Sequence, residues 1–215
     1  MTAPLQRFLR PAPQAAPGER CELCAEPLGE RHSHLIDLDS RAIRCACRGC
    51  YLLFTRPGAG RYRAVPERYL HAPDFPAGER LWDEAGIPVR MAFFFVNSQQ
   101  DRTVGFYPSP AGATESLLPL GAWEDMLAGS ESGESGSESG PRFGTIEPDV
   151  EALLVNRAAH GFECFLVPID ACYELVGLVK LRWRGFDGGT EAWTAIDGFF
   201  SALRERSTRI GAGDA

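Results

Sequence analysis

A continuous apolar run, Met91-Ala92-Phe93-Phe94-Phe95-Val96, precedes Asn97 and is bounded by turn residues. At this length it predicts a strand buried on both faces, since a strand facing water would alternate. Arg102–Pro108 reads as its hairpin partner, with Ser98–Asp101 turning between them. Further along, Pro148-Asp149-Val150-Glu151 carries the proline and acids of a first helical turn. Val150, Leu153 and Leu154 then supply a stripe, so a helix is expected through about Ala159. Glu163–Ile169 reads as a strand, Asp170 as the cap of a short helical turn over Ala171–Leu175, and alternating Val179, Leu181 and Trp183 as a half-buried strand. Gly185–Gly189 is a tight turn, after which Thr190 is expected to cap a helix with Trp193, Ile196, Phe199, Phe200 and Leu203 on one face. A short helix is expected at Leu120–Leu127. The order implies an α+β fold, a mostly antiparallel sheet with helices packed on one side.

The N-terminal third has a different texture. Cys21-Glu22-Leu23-Cys24 and Cys47-Arg48-Gly49-Cys50 are two Cys-x-x-Cys knuckles. Between them lie two short alternating segments, His34–Leu38 and Ala42–Ala46, around the turn Asp39-Ser40-Arg41. Two intervening residues let both thiolates of a knuckle reach one ion, and two knuckles complete a tetrahedral sulfur site. The pattern predicts a zinc-ribbon-like module with Cys21, Cys24, Cys47 and Cys50 as ligands. A module this small needs the metal for its folding free energy. Zinc suits a closed four-thiolate site, and the alternative is the single iron of a rubredoxin-like electron carrier. Rubredoxin knuckles typically place glycine after the second cysteine, whereas Ala25 and Tyr51 stand there in this chain.

Cys45 lies one pleat from Cys47 and reads as a small core residue, with a thiol beside the ligands or a substitute for Cys47 as alternatives. His34 shares a face with Ile36 and Leu38, with His32 just before it; such a histidine reads as a hydrogen-bonded core residue, and replacement of a ligand by either is the alternative. Cys164 and Cys172 read as core residues, and His71 and His160 as solvated loop residues.

Boundaries follow from composition. Residues 1–20 form a Pro- and Ala-rich flexible arm, with a short helix at Leu5–Leu9, and not a signal peptide. The metal module spans 21–54, and a Pro-, Gly- and Arg-rich connector spans 55–88 with one amphipathic turn at Glu79–Ala85. The α+β domain occupies 89–206, and 207–215 is a flexible tail. Residues 129–140 contain only Ser, Glu and Gly, which bury nothing, so a disordered insertion is expected there. An odd cysteine count of 7, mostly in metal-ligand spacing, points to a reducing, cytoplasmic setting, and no apolar run long enough to span a bilayer occurs.

Charge changes the picture modestly. Residues 1–70 carry a net charge of +4 and the remainder −11. Arg41, Arg44, Arg48, Arg56, Arg61 and Arg63 raise nucleic-acid binding as an option, against which stand the acidic total and a single lysine, Lys180. No phosphate-binding, dinucleotide, HExxH or GxSxG motif is present, so nothing posits catalysis.

Cys21–Cys24 with His32-Ser33-His34-Leu35, the run Cys45–Cys50, Val167–Leu175 and Trp183–Trp193 together resemble an actinobacterial family that carries a domain-of-unknown-function label. That family is associated with uptake [NiFe]-hydrogenase gene clusters. The resemblance covers most of residues 20–206. It implies a non-catalytic accessory or assembly protein whose partners are hydrogenase subunits or maturation factors, and it transfers no catalytic residue.

Overall fold

The computed structural model describes residues 19–56, 58, 60–75, 78–117, 120, 121, 123, 124, 143–158 and 161–211. The expected insertion 129–140, the helix at Leu5–Leu9, half of the helix at Leu120–Leu127, and His160 lie outside these. Residues 121, 123 and 124 are helical.

Two sheets organise the chain. The first contains β1 (Ser33–Asp37), β2 (Ala42–Ala46) and β3 (Tyr62–Ala64), antiparallel in the order β2-β1-β3. The hairpin of β1 and β2 follows the alternation in the sequence, with Arg41 at φ 55° closing its turn. The third strand comes from the Pro/Gly/Arg-rich stretch beyond residue 54. A short helix, α1 (Arg48–Leu53), intervenes between β2 and β3.

The second sheet has β4 (Leu70–Ala72), β5 (Met91–Asn97), β6 (Arg102–Ser109), β7 (Gly112–Glu115), β8 (Glu151–Ala158), β9 (Gly161–Pro168) and β10 (Thr208–Arg209). Its order is β10-β4-β9-β8-β5-β6-β7, antiparallel except for the short β10–β4 pair. The fold is therefore α+β with antiparallel sheets. The hairpin of β5 and β6 is formed by the expected residues, with Asn97 opposite Arg102 across the turn.

Alternation along β5 sends Phe93 and Phe95 to one face and Phe94 to the other. On the first face lie α3 (Ile169–Arg182) and α4 (Gly189–Arg206), contributing Leu175, Val179, Ile196 and Phe200 to the core. The opposite face is covered by α2 (Gly78–Ala85), through Leu81 and Trp82, together with Trp123, Phe143 and Ile146. Trp123 stacks on Phe94 at 3.7 Å between ring centroids and donates its indole N–H to the Leu81 carbonyl at 3.1 Å. Gly105 on β6 makes room for that stack, because a Cβ there would sit 2.8 Å from the Phe94 ring.

Three local expectations are corrected. The segment Glu151–Ala158, expected within a helix, is β8, the strand between β5 and β9. Ala152, Leu153, Leu154 and Val155 are all buried, which a helix with one apolar stripe would not achieve. The helical turn after Asp170 and the strand at Leu178–Trp183 are one continuous helix, α3, and Leu181 points to solvent at 70% exposure. Helix α4 takes its N-cap from Gly188 in the left-handed region, φ 88°, and not from Thr190.

The small sheet packs on the large one. Ile36 and Val65 join the core beneath α3 and α4. Arg63 donates to the Pro148 carbonyl at 2.7 Å and to Asp149 at 3.1 Å. His34 bonds Asp170, in the first turn of α3, at 2.7 Å. His71, expected in a solvated loop, is buried on β4, stacked on Phe165 and bonded to Glu163 at 3.1 Å.

Candidate metal centre

The first knuckle is a tight backbone loop. Cys21 N–H donates to the Glu26 carbonyl and Ala25 N–H to the Cys21 carbonyl, both at 2.8 Å. Closing it puts Ala25 at φ 63°, a left-handed conformation that a glycine adopts without steric cost. The alanine noted in the sequence thus sits where the loop turns.

The second knuckle is built differently. Strand β2 ends at Ala46, and Cys47 caps α1, its Sγ accepting the Cys50 N–H at 3.5 Å. Tyr51 is inside the helix and donates its N–H to the Cys47 carbonyl at 2.9 Å, so no left-handed residue is needed there. Its hydroxyl reaches the Val65 carbonyl at 3.1 Å, fastening α1 to the chain beyond β3.

Glu22 brings the two knuckles face to face. Its backbone N–H donates to the Cys45 carbonyl at 2.9 Å, and its carboxylate accepts the Cys45 N–H at 2.7 Å and the Arg44 guanidinium at 2.9 Å. Beneath lies a small core of Cys21, Leu35, Ala46 and Tyr51. This is too little to hold a fold of this size by burial alone.

The result is a compact group. One Sγ from each of Cys21, Cys24, Cys47 and Cys50 lies within 4.8 Å of the other three. Cys24 and Cys47 are 3.6 Å apart at sulfur. A tetrahedron with metal–sulfur bonds of about 2.3 Å has edges of about 3.8 Å, whereas a disulfide closes to about 2.0 Å. The donor set therefore fits one ion that favours thiolates. Electrostatics lead the same way. Burial alone would raise the Cys21 thiol, but backbone N–H groups at Cys47, Cys24 and Leu23 overcome it and bring the thiol down to about 6. Cys50 is pushed up to about 12, first by its hydrogen bond with Cys24 and then by burial. Without a cation, four adjacent sulfurs carry little negative charge; a divalent ion is what lets all four ionise.

The remaining sulfurs and histidines fall elsewhere. Cys164 and Cys172 are fully buried, as expected, and burial raises both thiols. Cys45 is partly exposed and stands opposite His34 across the β1–β2 pair, outside the four-cysteine group and outside the packed core. His34 is likewise outside the group, so neither replaces a ligand in this arrangement. Of the arginines singled out above, Arg44 and Arg61 pair with buried Asp37, and Arg63 with Asp149. The Arg61 pair holds the Asp37 carboxyl well below the usual range.

No helix among the described residues is long and apolar enough to cross a membrane. No curated protein and no solved structure matches the chain. A family model does: DUF5947, described as a family of unknown function, matches residues 20–207, and the chain belongs to that family.

Proposed function

We propose that this member of DUF5947 is a non-catalytic accessory or assembly protein, cytoplasmic, whose four-cysteine group holds zinc as a structural staple and presents a protein-docking surface. The observation that carries the reading is the closed donor set: four protein thiols converge on one point and leave a tetrahedral ion no position for a substrate. The helical backbone at Tyr51 favours zinc over rubredoxin-type iron, because its N–H is spent on the Cys47 carbonyl and not on a sulfur. Leu52 and Leu53, 52% and 70% exposed on α1 beside the knuckle, offer apolar surface for a partner. The ion pairs of Arg44, Arg61 and Arg63 within the chain weaken the case for nucleic acid, whose phosphates would have to compete for them.

The partner proposed is a [NiFe] hydrogenase subunit or maturation factor, on the strength of the family likeness carried by the cysteine run and the two later motifs. Copurification of hydrogenase subunits from the native host tests it. The Cys21→Ser/Cys24→Ser double variant should lose the partner together with the metal. Leu53→Arg should lose the partner and keep the metal. Undiminished binding by both variants would remove the ribbon from the docking surface.

A further inference from the structure

On the face of the ribbon turned toward α3, a second set of donors converges. His32 and His34 sit two residues apart, and Cys45 lies directly across from His34 in the β1–β2 register. One ring nitrogen of each histidine and the Cys45 sulfur fall within 4.8 Å of one another. The two rings meet edge to face at 4.8 Å between centroids.

The hydrogen bonds determine which nitrogens are available. His32 Nδ1 lies 3.0 Å from the Gly29 carbonyl, an acceptor only, so Nδ1 carries the proton. His34 Nδ1 lies 2.7 Å from the Asp170 carboxylate and donates to it likewise. In the neutral rings both lone pairs are then on Nε2. His32 Nε2 is buried and has no hydrogen-bond partner, on a side chain only 9% exposed. A buried lone pair without a donor is destabilising, and a cation placed there removes that cost. A histidine whose far nitrogen is held by a carboxylate or carbonyl is also the usual arrangement of a metal-bound imidazole.

We propose that His32, His34 and Cys45 form a second metal site, distinct from the four-cysteine group. It takes a borderline divalent ion such as zinc or cobalt through two imidazoles and one thiolate, with Asp170 orienting His34. Three protein ligands leave a tetrahedral ion one further position, and a cleft lined by Arg31, His32, Ser33, Cys47, Arg48 and Glu67 borders His32. With fewer thiolates and an open position, this ion exchanges more readily than the one held by the knuckles. Its bridge to Asp170 ties the ribbon to α3.

Titration of the metal-stripped full-length protein with Co²⁺, followed by its thiolate charge-transfer and ligand-field bands, tests the site. Wild type should take up two equivalents, the second with weaker thiolate absorption per ion than the first. Cys45→Ser and His32→Gln should each lose the second equivalent and retain the first, which also shows that these variants fold. Asp170→Asn should bind the second ion about 10–100-fold more weakly. A wild type saturating at one equivalent, or variants that still bind two, would overturn the proposal. The four-cysteine reading fails separately, if Cys21→Ser/Cys24→Ser leaves the strongly absorbing first equivalent intact.

Discussion

Glu163 is the acid on which the body sheet closes, and its removal has a calculable effect. It sits on β9, is 6% exposed, and accepts hydrogen bonds from three elements. These come from His71 on β4 at 3.1 Å, Asn156 on β8 at 2.8 Å, and Arg204 on α4 at 2.5 and 2.9 Å. Burial alone would raise its carboxyl, but those donors outweigh it and bring the group down to about 2 from 4.5. A depressed carboxyl contributes stability above its unfolded value and loses it as pH falls toward the folded one. At about 1.4 kcal/mol per unit, the separation of 4.5 and 2 corresponds to about 3 kcal/mol at neutral pH. Glu163→Gln should therefore destabilise the protein by about 2–3 kcal/mol, the lower end reflecting an Arg204 that is 39% exposed and can find water. Urea unfolding of wild type and variant, each across pH 7 to pH 2.5, reads the difference. Any metal held by the cysteines would be released by acid from both proteins alike, so the gap between them isolates Glu163. The gap should be constant above about pH 5 and shrink steadily below it. A gap that persists unchanged at pH 2.5 would refute the assignment to ionised Glu163.

Two further substitutions test the packing and the knuckle. Ala25→Gly relieves about 1–2 kcal/mol of left-handed strain against about 0.5–1 kcal/mol of added chain entropy, for a net gain of up to about 1.5 kcal/mol. It should raise metal affinity or the melting temperature slightly, and a loss would show that the turn is not strained. Gly105→Ala forces a methyl group to 2.8 Å from Phe94 and should cost about 1–3 kcal/mol in a denaturant titration with tryptophan fluorescence reporting the Trp123 stack.

The four-cysteine group was legible because a Cys-x-x-Cys knuckle is a local object: two residues between cysteines set its geometry wherever the chain goes next. Strand β5 and its hairpin were legible for the same reason. Strand β8 was not. Pro148 and Asp149 imitate a helix start, and Val150, Leu153 and Leu154 fit a helical stripe as well as a buried strand. What makes this segment a strand is pairing with β5 and β9, one of them more than 50 positions away, and the turn at Asp149, φ 66°. In α3, the alternation of Val179, Leu181 and Trp183 suggested a separate strand, which packing against α4 overrides. His71 looked solvated because its partner, Glu163, is remote in sequence. The His32, His34 and Cys45 group was half visible: His-x-His at the start of β1 and Cys-x-Cys at the end of β2 are in the sequence, but only the register sets His34 opposite Cys45.

The central claim is that Cys21, Cys24, Cys47 and Cys50 hold one zinc ion. Metal analysis with zinc-edge X-ray absorption on full-length protein carrying Cys45→Ser, which leaves only the knuckles to bind tightly, tests it most directly. One zinc per chain is expected, bound by four sulfurs at about 2.3 Å. A red, redox-active iron protein, a shell containing nitrogen or oxygen, or a folded protein without metal would contradict it.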